Sequence, residues 1–192
     1  LRVINDDIIA PSGGFGEHPH DNMEIVTWML DGALKHGDSL GNMRTLRPGE
    51  LQAMSAGTGI RHSEFNASDT APAHLLQIWI VPDKRDVEPR YDQRSFDAAG
   101  RHNKWQTLAS GRGVAGAMPI HQDADMHVAT LTPDATLEAQ VADDRFGYLH
   151  VAIGEVEIDG RTLTGGDAVT FDGGGVTVKA KTESQVLLFD LA

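Results

Sequence analysis

The chain has 192 residues, with 16 Lys and Arg against 28 Asp and Glu, nine His and no Cys. A hydrophobic content of 40% without any run of about eighteen apolar residues excludes a disordered tail, a collagen-like fibre and a membrane span. A net charge of −12 without a basic cluster opposes direct nucleic-acid contact, and the lack of Cys excludes disulfides, zinc fingers, iron–sulfur clusters and a thiol nucleophile, so any metal must be held by His, Asp, Glu or water.

In chain order, Arg2 to Asn5, Glu24 to Leu30, Leu75 to Val81, Met126 to Leu131, Tyr148 to Ile153, Val176 to Val178 and Gln185 to Leu191 read as strands rich in Val, Ile, Leu or aromatic residues. The 21 Gly and eight Pro fall between them as punctuation, and Asp31-Gly32 and Asp159-Gly160 are hairpin signals because Gly accepts positive φ. No segment has helical periodicity, and Asp92 to Gly100 holds at most one short helical turn. Leu1 to Ala10 lacks a basic n-region and a cleavage site and does not read as a signal peptide, so a cytoplasmic location is the expectation, with Leu at the first position read as a trimmed N-terminus.

The chain also repeats itself. Leu46-Arg47-Pro48-Gly49-Glu50 with Gly57 recurs 117 residues later as Leu163-Thr164-Gly165-Gly166-Asp167 with Gly174. Upstream, the strand ending in Asp31-Gly32 corresponds to Tyr148 to Ile153 ending in Gly154. A strand–turn–strand unit performed twice implies an all-β fold of two similar antiparallel, jelly-roll-type barrels packed together, with few short helices. The expected boundaries are a first barrel over 1–81, a linker or crossover over 82–104 around the charged, proline-bracketed stretch Pro82 to Arg90, and a second barrel over 105–192, with exchange of terminal strands left open.

The chemistry concentrates in the first copy. His18-Pro19-His20 is followed by His62-Ser63-Glu64, and in an extended chain residues i and i+2 share a face, so each pair delivers two donors side by side. Chance alone gives about 0.4 His-x-His pairs at this His content, so one pair is weak evidence. The turn signal Gly57-Thr58-Gly59 just before the second pair strengthens it, by feeding a strand whose inward face carries His62 and Glu64. Three imidazoles and a carboxylate suit Fe²⁺, Mn²⁺, Co²⁺, Ni²⁺, Cu²⁺ or Zn²⁺ and leave positions open for substrate. The repeat offsets place Lys179, Lys181, Gln140 and Ala142 at the corresponding positions of the second copy, which therefore lacks the set. His36, His74, His102, His121, His127 and His150 have no partner at ligand spacing and read as surface or hydrogen-bonded residues. Trp28, Trp79 and Trp105 read as filling cores or the seam between the barrels, and Phe15, Phe65 and Met54 read as core unless they wall a pocket beside the cluster.

At Gly14-Phe15-Gly16-Glu17-His18-Pro19-His20, Met23 to Thr27, Arg47-Pro48-Gly49-Glu50, Met54 to Glu64 and Leu76-Gln77-Ile78-Trp79 the sequence resembles the pirin family of the cupin superfamily. The resemblance is specific over the first half and general over the second. It implies a bicupin whose N-terminal cupin holds one metal, described as iron, through His18, His20, His62 and Glu64. Family members usually carry a further stretch ahead of the position of Leu1. Several are described as quercetin 2,3-dioxygenases, which implies a small aromatic flavonol substrate and O₂, with Glu64 as a candidate proton acceptor. Others are described as non-catalytic regulators, which implies a metal- or redox-sensing role with a protein partner. The expected molecule is a monomer with no membrane and no nucleic-acid partner.

Overall fold

The computed structural model describes all 192 residues, Leu1–Ala192. They form two compact units, Leu1–Phe96 with Ile120–Gln122, and Asp97–Pro119 with Asp123–Ala192. No helix is long and apolar enough to cross a membrane; the helical content is one 3-10 turn, Ala98–Gly100, capped by the Asp97 carboxylate.

The first unit contains β1 (Val3–Ile9), β2 (Gly14–His20), β3 (Glu24–Asp31), β4 (Leu34–Asp38), β5 (Met43–Leu46), β6 (Glu50–Ser55), β7 (Ile60–Asn66), β8 (Ala73–Ile80) and β9 (Arg90–Ser95). They make one antiparallel sheet in the order β1-β8-β3-β6-β9 and a second in the order β2-β7-β4-β5. The apolar run of β3 is buried on both faces, as a central strand should be. Pro19, which has no N–H to give to a ladder, sits in β2 at a sheet edge. Within the stretch expected to link the barrels, residues 90–95 form β9, whose polar sequence suits an edge. The preceding residues are tied down, with Val87 O accepting from Thr58 N at 3.0 Å and Asp86 N donating to Asn22 Oδ1 at 2.7 Å. Gly57, at φ 48°, is required there because a Cβ would lie 2.0 Å from Val87 O.

The interior of this unit is layered along its strands. At one end Ile9, Met29, Leu34, Leu46, Ala73 and Leu75 pack together. Nearer the other end, Ile25, Met54, Ala56 and Ile60 pack with Met23 and Trp79. Between the two lies a polar belt, since β3 passes from Ile25 through Thr27 to Met29, and β8 from Leu75 through Gln77 to Trp79. Ladder pairing sets Thr27 opposite both Gln52 and Gln77, and Glu64 opposite His36.

The second unit contains β10 (Gln106–Ser110), β11 (Met118–Pro119), β12 (Ala124–Leu131), β13 (Thr136–Ile153), β14 (Glu155–Ile158), β15 (Arg161–Thr164), β16 (Ala168–Ala180) and β17 (Ser184–Leu191), in the sheet order β11-β10-β12-β17-β13-β16-β14-β15. The Asp159-Gly160 turn has positive φ at both residues, 51° and 73°, as a two-residue hairpin between β14 and β15 demands. The same ladder relations recur here with different chemistry. Leu149 stands opposite Val169 and Leu188, where the first unit has Thr27 with Gln52 and Gln77. Val178 stands opposite Ile158 and Leu137, where the first unit has Glu64 with His36 and Phe15. The belt is thus entirely aliphatic.

This corrects the sequence alignment of the repeats. The positions equivalent to His62 and Glu64 are Gly175, opposite Gln140, and Val178, three to four residues before Lys179 and Lys181. The copies differ here because the first unit makes a turn through Gly57 and Gly59 between β6 and β7, whereas β16 continues as one strand through Gly173 and Gly174, both at positive φ, with a register shift against β13. The second unit thus carries Gly175, Gln140 and Val178 where the first carries His62, His18 and Glu64, and the lysines fall at other positions.

Candidate metal centre

Strand alternation brings the donors together. On β7, Ile60, His62, Glu64 and Asn66 are buried while Arg61 and Phe65 are exposed. On β2, His18 pairs directly with His62. Gly14 makes this approach possible, because a Cβ there would lie 2.3 Å from Glu64 O. The ring centroids of His18 and His62 are 4.5 Å apart, those of His18 and His20 4.8 Å and those of His20 and His62 5.0 Å. Ligand atoms of His18, His20 and His62 all lie within 4.8 Å of one another, and a second such group, His36, His62 and Glu64, shares His62.

His62 is 1% exposed, and neither of its ring nitrogens has a hydrogen-bond partner. Leaving a buried polar atom unmatched costs about 1–3 kcal/mol. Burial pushes the His62 imidazole down to about 4, opposed by Glu64 and reinforced by His18, His20 and His36, so the ring is neutral with a lone pair to give. Burial, with His18 adding to it, also lowers the pKa of His20. His18 Nδ1 lies 2.8 Å from Gly16 O, which as a donor there leaves Nε2 as its free donor atom. Two half-buried imidazoles beside the buried, unmatched ring of His62 and one carboxylate fit a borderline divalent metal.

Glu64 is held on both oxygens. Gln52 Nε2 donates to Oε1 at 2.8 Å and Gln77 Nε2 to Oε2 at 2.6 Å. Burial works to raise its pKa, but His36, His62 and Gln52 outweigh burial and keep it a carboxylate. The glutamines are themselves anchored, since Tyr91 donates to Gln52 Oε1 at 3.3 Å and Trp79 Nε1 to Gln77 Oε1 at 3.3 Å. Burial raises the pKa of the Tyr91 hydroxyl, which stays protonated as a donor.

His36 is the residue that sequence reasoning passed over. Its side chain is fully buried, with Nε2 2.8 Å from Asp38 Oδ2 and Nδ1 4.0 Å from Glu64 Oε1. Its ring stacks on Tyr91 at 4.3 Å. Asp38 accepts in turn from Leu40 N, Asn42 N and Asn42 Nδ2, which fixes the carboxylate behind the imidazole. Burial disfavours protonation of His36, but Glu64 and Asp38 on either side outweigh it, and the pKa is raised. The signal was in the chain, because His36-x-Asp38 has the same i, i+2 spacing as the two pairs that were recognised. Of the other candidate wall residues, Met54 is core, Phe65 faces away from Glu64, and Phe15 and Trp79 line a cavity of about 370 Å³ onto which His18, His20 and Gln77 also open.

An all-β chain of two jelly-roll-type units, one with an aliphatic interior and one enclosing a His/Glu cluster able to bind a metal, defines a bicupin. Comparison with known families matches residues 1–80 to Pirin and residues 107–191 to the quercetinase C-terminal cupin domain. The chain is 43% identical over 192 residues to a quercetin 2,3-dioxygenase of Escherichia coli, spanning 100% of this chain and 82% of that protein. It is 41% identical over 194 residues to a pirin-like protein of Caulobacter vibrioides, spanning 100% and 83%. The crystal structure of the bacterial pirin YhhW from Escherichia coli in complex with nickel(II) superimposes with a TM-score of 0.91 at 42% identity, covering 100% of this chain and 82% of that one. The chain belongs to the pirin family.

Proposed function

We propose that this chain is a metal-dependent dioxygenase that opens a flavonol with O₂, holding one ion per chain, iron in its resident form, through His18, His20, His62 and Glu64. The observation that carries this reading is the cavity beside the cluster, in which two candidate ligands open onto a space walled by Phe15 and Trp79. Its volume lies at the small end of ligand pockets, and aromatic walls suit a planar ring system. The similarity to proteins named quercetin 2,3-dioxygenase supports the same substrate class.

When bound, the metal supplies Lewis acidity towards an enolic hydroxyl and redox capacity towards O₂. The chain supplies position and proton handling. Phe15 and Trp79 hold the ring plane against the ligand edge, and Gln52 and Gln77 fix the Glu64 carboxylate. Glu64 is the group placed to take the hydroxyl proton, and the ring of buried donors around it excludes bulk water from the transfer.

Oxygen uptake by protein of measured metal content, loaded in turn with Fe²⁺, Mn²⁺, Ni²⁺ and Cu²⁺, tests the reading. The expected result is flavonol-dependent O₂ consumption with at least one of these ions and none after chelation. If no ion supports uptake with any flavonol, the same cluster serves a metal- or redox-sensing regulator instead.

A further inference from the structure

The cavity beside the cluster has a polar end that the dioxygenase reading leaves unused. It opens between two sheet edges, β1 and β2. On β1 the sequence Asn5-Asp6-Asp7 places three polar side chains in a row, and strand alternation splits them. Asp6 turns outward and pairs with His74 at 2.5 Å. Asn5, which is exposed, and Asp7, which is half-buried, share the other face, opposite Gln77 and Leu75 in the ladder, and both line the cavity. Neither makes a side-chain hydrogen bond within the protein. Burial, reinforced by Asp6 and Glu64, raises the pKa of Asp7, so water does not fully compensate this carboxyl.

Two polar side chains without hydrogen-bond partners in the protein, lining one cavity with two aromatic side chains and two candidate ligands, amount to a recognition surface with a defined chemistry. Both offer acceptor oxygens. Asp7 and Glu64 together make the cavity unfavourable to an anionic group, and an aliphatic ring edge would leave the acceptors unmatched. What fits is a neutral ring bearing hydroxyl donors away from its metal-binding edge. A site built to hydrogen-bond a hydroxyl rejects the analogue without it far more strongly than a hydrophobic wall rejects a missing methylene.

We propose that Asn5 and Asp7 are the hydroxyl-reading end of the substrate cavity, and that they make the protein selective for polyhydroxylated over sparsely hydroxylated flavonols. This rests on the dioxygenase reading for the identity of the ligand edge. It assigns to β1 the choice among substrates and leaves the metal site to β2 and β7.

Anaerobic calorimetric titration of metal-loaded protein with two flavonols, one carrying a catechol ring and one lacking those hydroxyls, tests it without turnover. Wild-type protein is expected to prefer the catechol compound by about tenfold or more. In Asp7→Val and Asn5→Val the preference falls to within about twofold while metal content stays at the wild-type level, and Asp7→Asn, which keeps an acceptor oxygen, retains most of it. A preference that survives both valine variants overturns the inference, as does equal binding of the two compounds by wild type, and both leave the dioxygenase reading standing. Failure of wild type to bind either flavonol overturns the two together.

Discussion

His62→Ala is expected to empty the site, with metal content falling from about one ion per chain to less than about a tenth of that, and flavonol-dependent oxygen uptake lost with it. His62 is common to both close-set groups of three donors, so neither group survives its removal, and His18, His20 and Glu64 are left without the donor that joins them. The stability of the metal-free protein should respond differently. The substitution leaves a cavity, but it also removes two buried ring nitrogens that lack hydrogen-bond partners, each a penalty of about 1–3 kcal/mol, so the two effects largely offset. The discriminating measurement is thermal unfolding with and without metal. Wild type should gain about 2.7 kcal/mol at a metal concentration one hundred times Kd, and His62→Ala should gain almost nothing. Retention of a full ion by the variant would remove His62 from the ligand set.

Glu64→Gln is expected to cut turnover by about 10²-fold or more while metal occupancy falls less, because it removes the proton acceptor and one negative charge but keeps the side chain's shape. The surroundings add a specific penalty. Gln52 and Gln77 each direct an amide donor at Glu64, so an amide nitrogen at either terminal position meets a donor. One glutamine must then flip, which breaks the bond that Tyr91 gives Gln52 or the one that Trp79 gives Gln77. The variant should therefore lose about 1–3 kcal/mol of stability in the metal-free state as well, measurable by urea unfolding. Unchanged turnover would keep the enzyme and move the proton to a different acceptor.

The strands that could be read from sequence are those in which burial on both faces leaves a continuous apolar run. Strands β3, β8 and β17 come nearest to this, and the repeat of glycine turns was enough to show that the architecture is duplicated. Strands β2, β4, β5, β9, β10, β11, β14 and β15 do not stand out in the sequence because they are short, polar or at edges, and β6, though central and buried, lacks β-branched residues. In β2 the sequence Gly-Phe-Gly-Glu-His-Pro-His is held as a strand by its partner β7 and by the steric allowance at Gly14, neither of which is a local property. The candidate donors were legible because period-two spacing is local. The groups that hold Glu64 were not, because Gln52, Gln77 and Tyr91 come from three strands of the opposite sheet and converge only through folding. His36 belongs between these cases, with a local His-x-Asp signal that becomes meaningful only when β4 pairs with β7.

The hydrocarbon belt of the second unit, from Leu149 and Val169 to Ile158, Val178 and Leu188, depends on nothing outside the chain for its packing. Amide hydrogen exchange should register the contrast: protons on β16 and β17 exchange at the same slow rate with or without a chelator, whereas those on β4 and β7 speed up once the ion is withdrawn. A chelator thus loosens one half of the molecule and leaves the other as a reference within the same sample. Any function lost on chelation can then be traced to the three strands β2, β4 and β7 without cutting the chain.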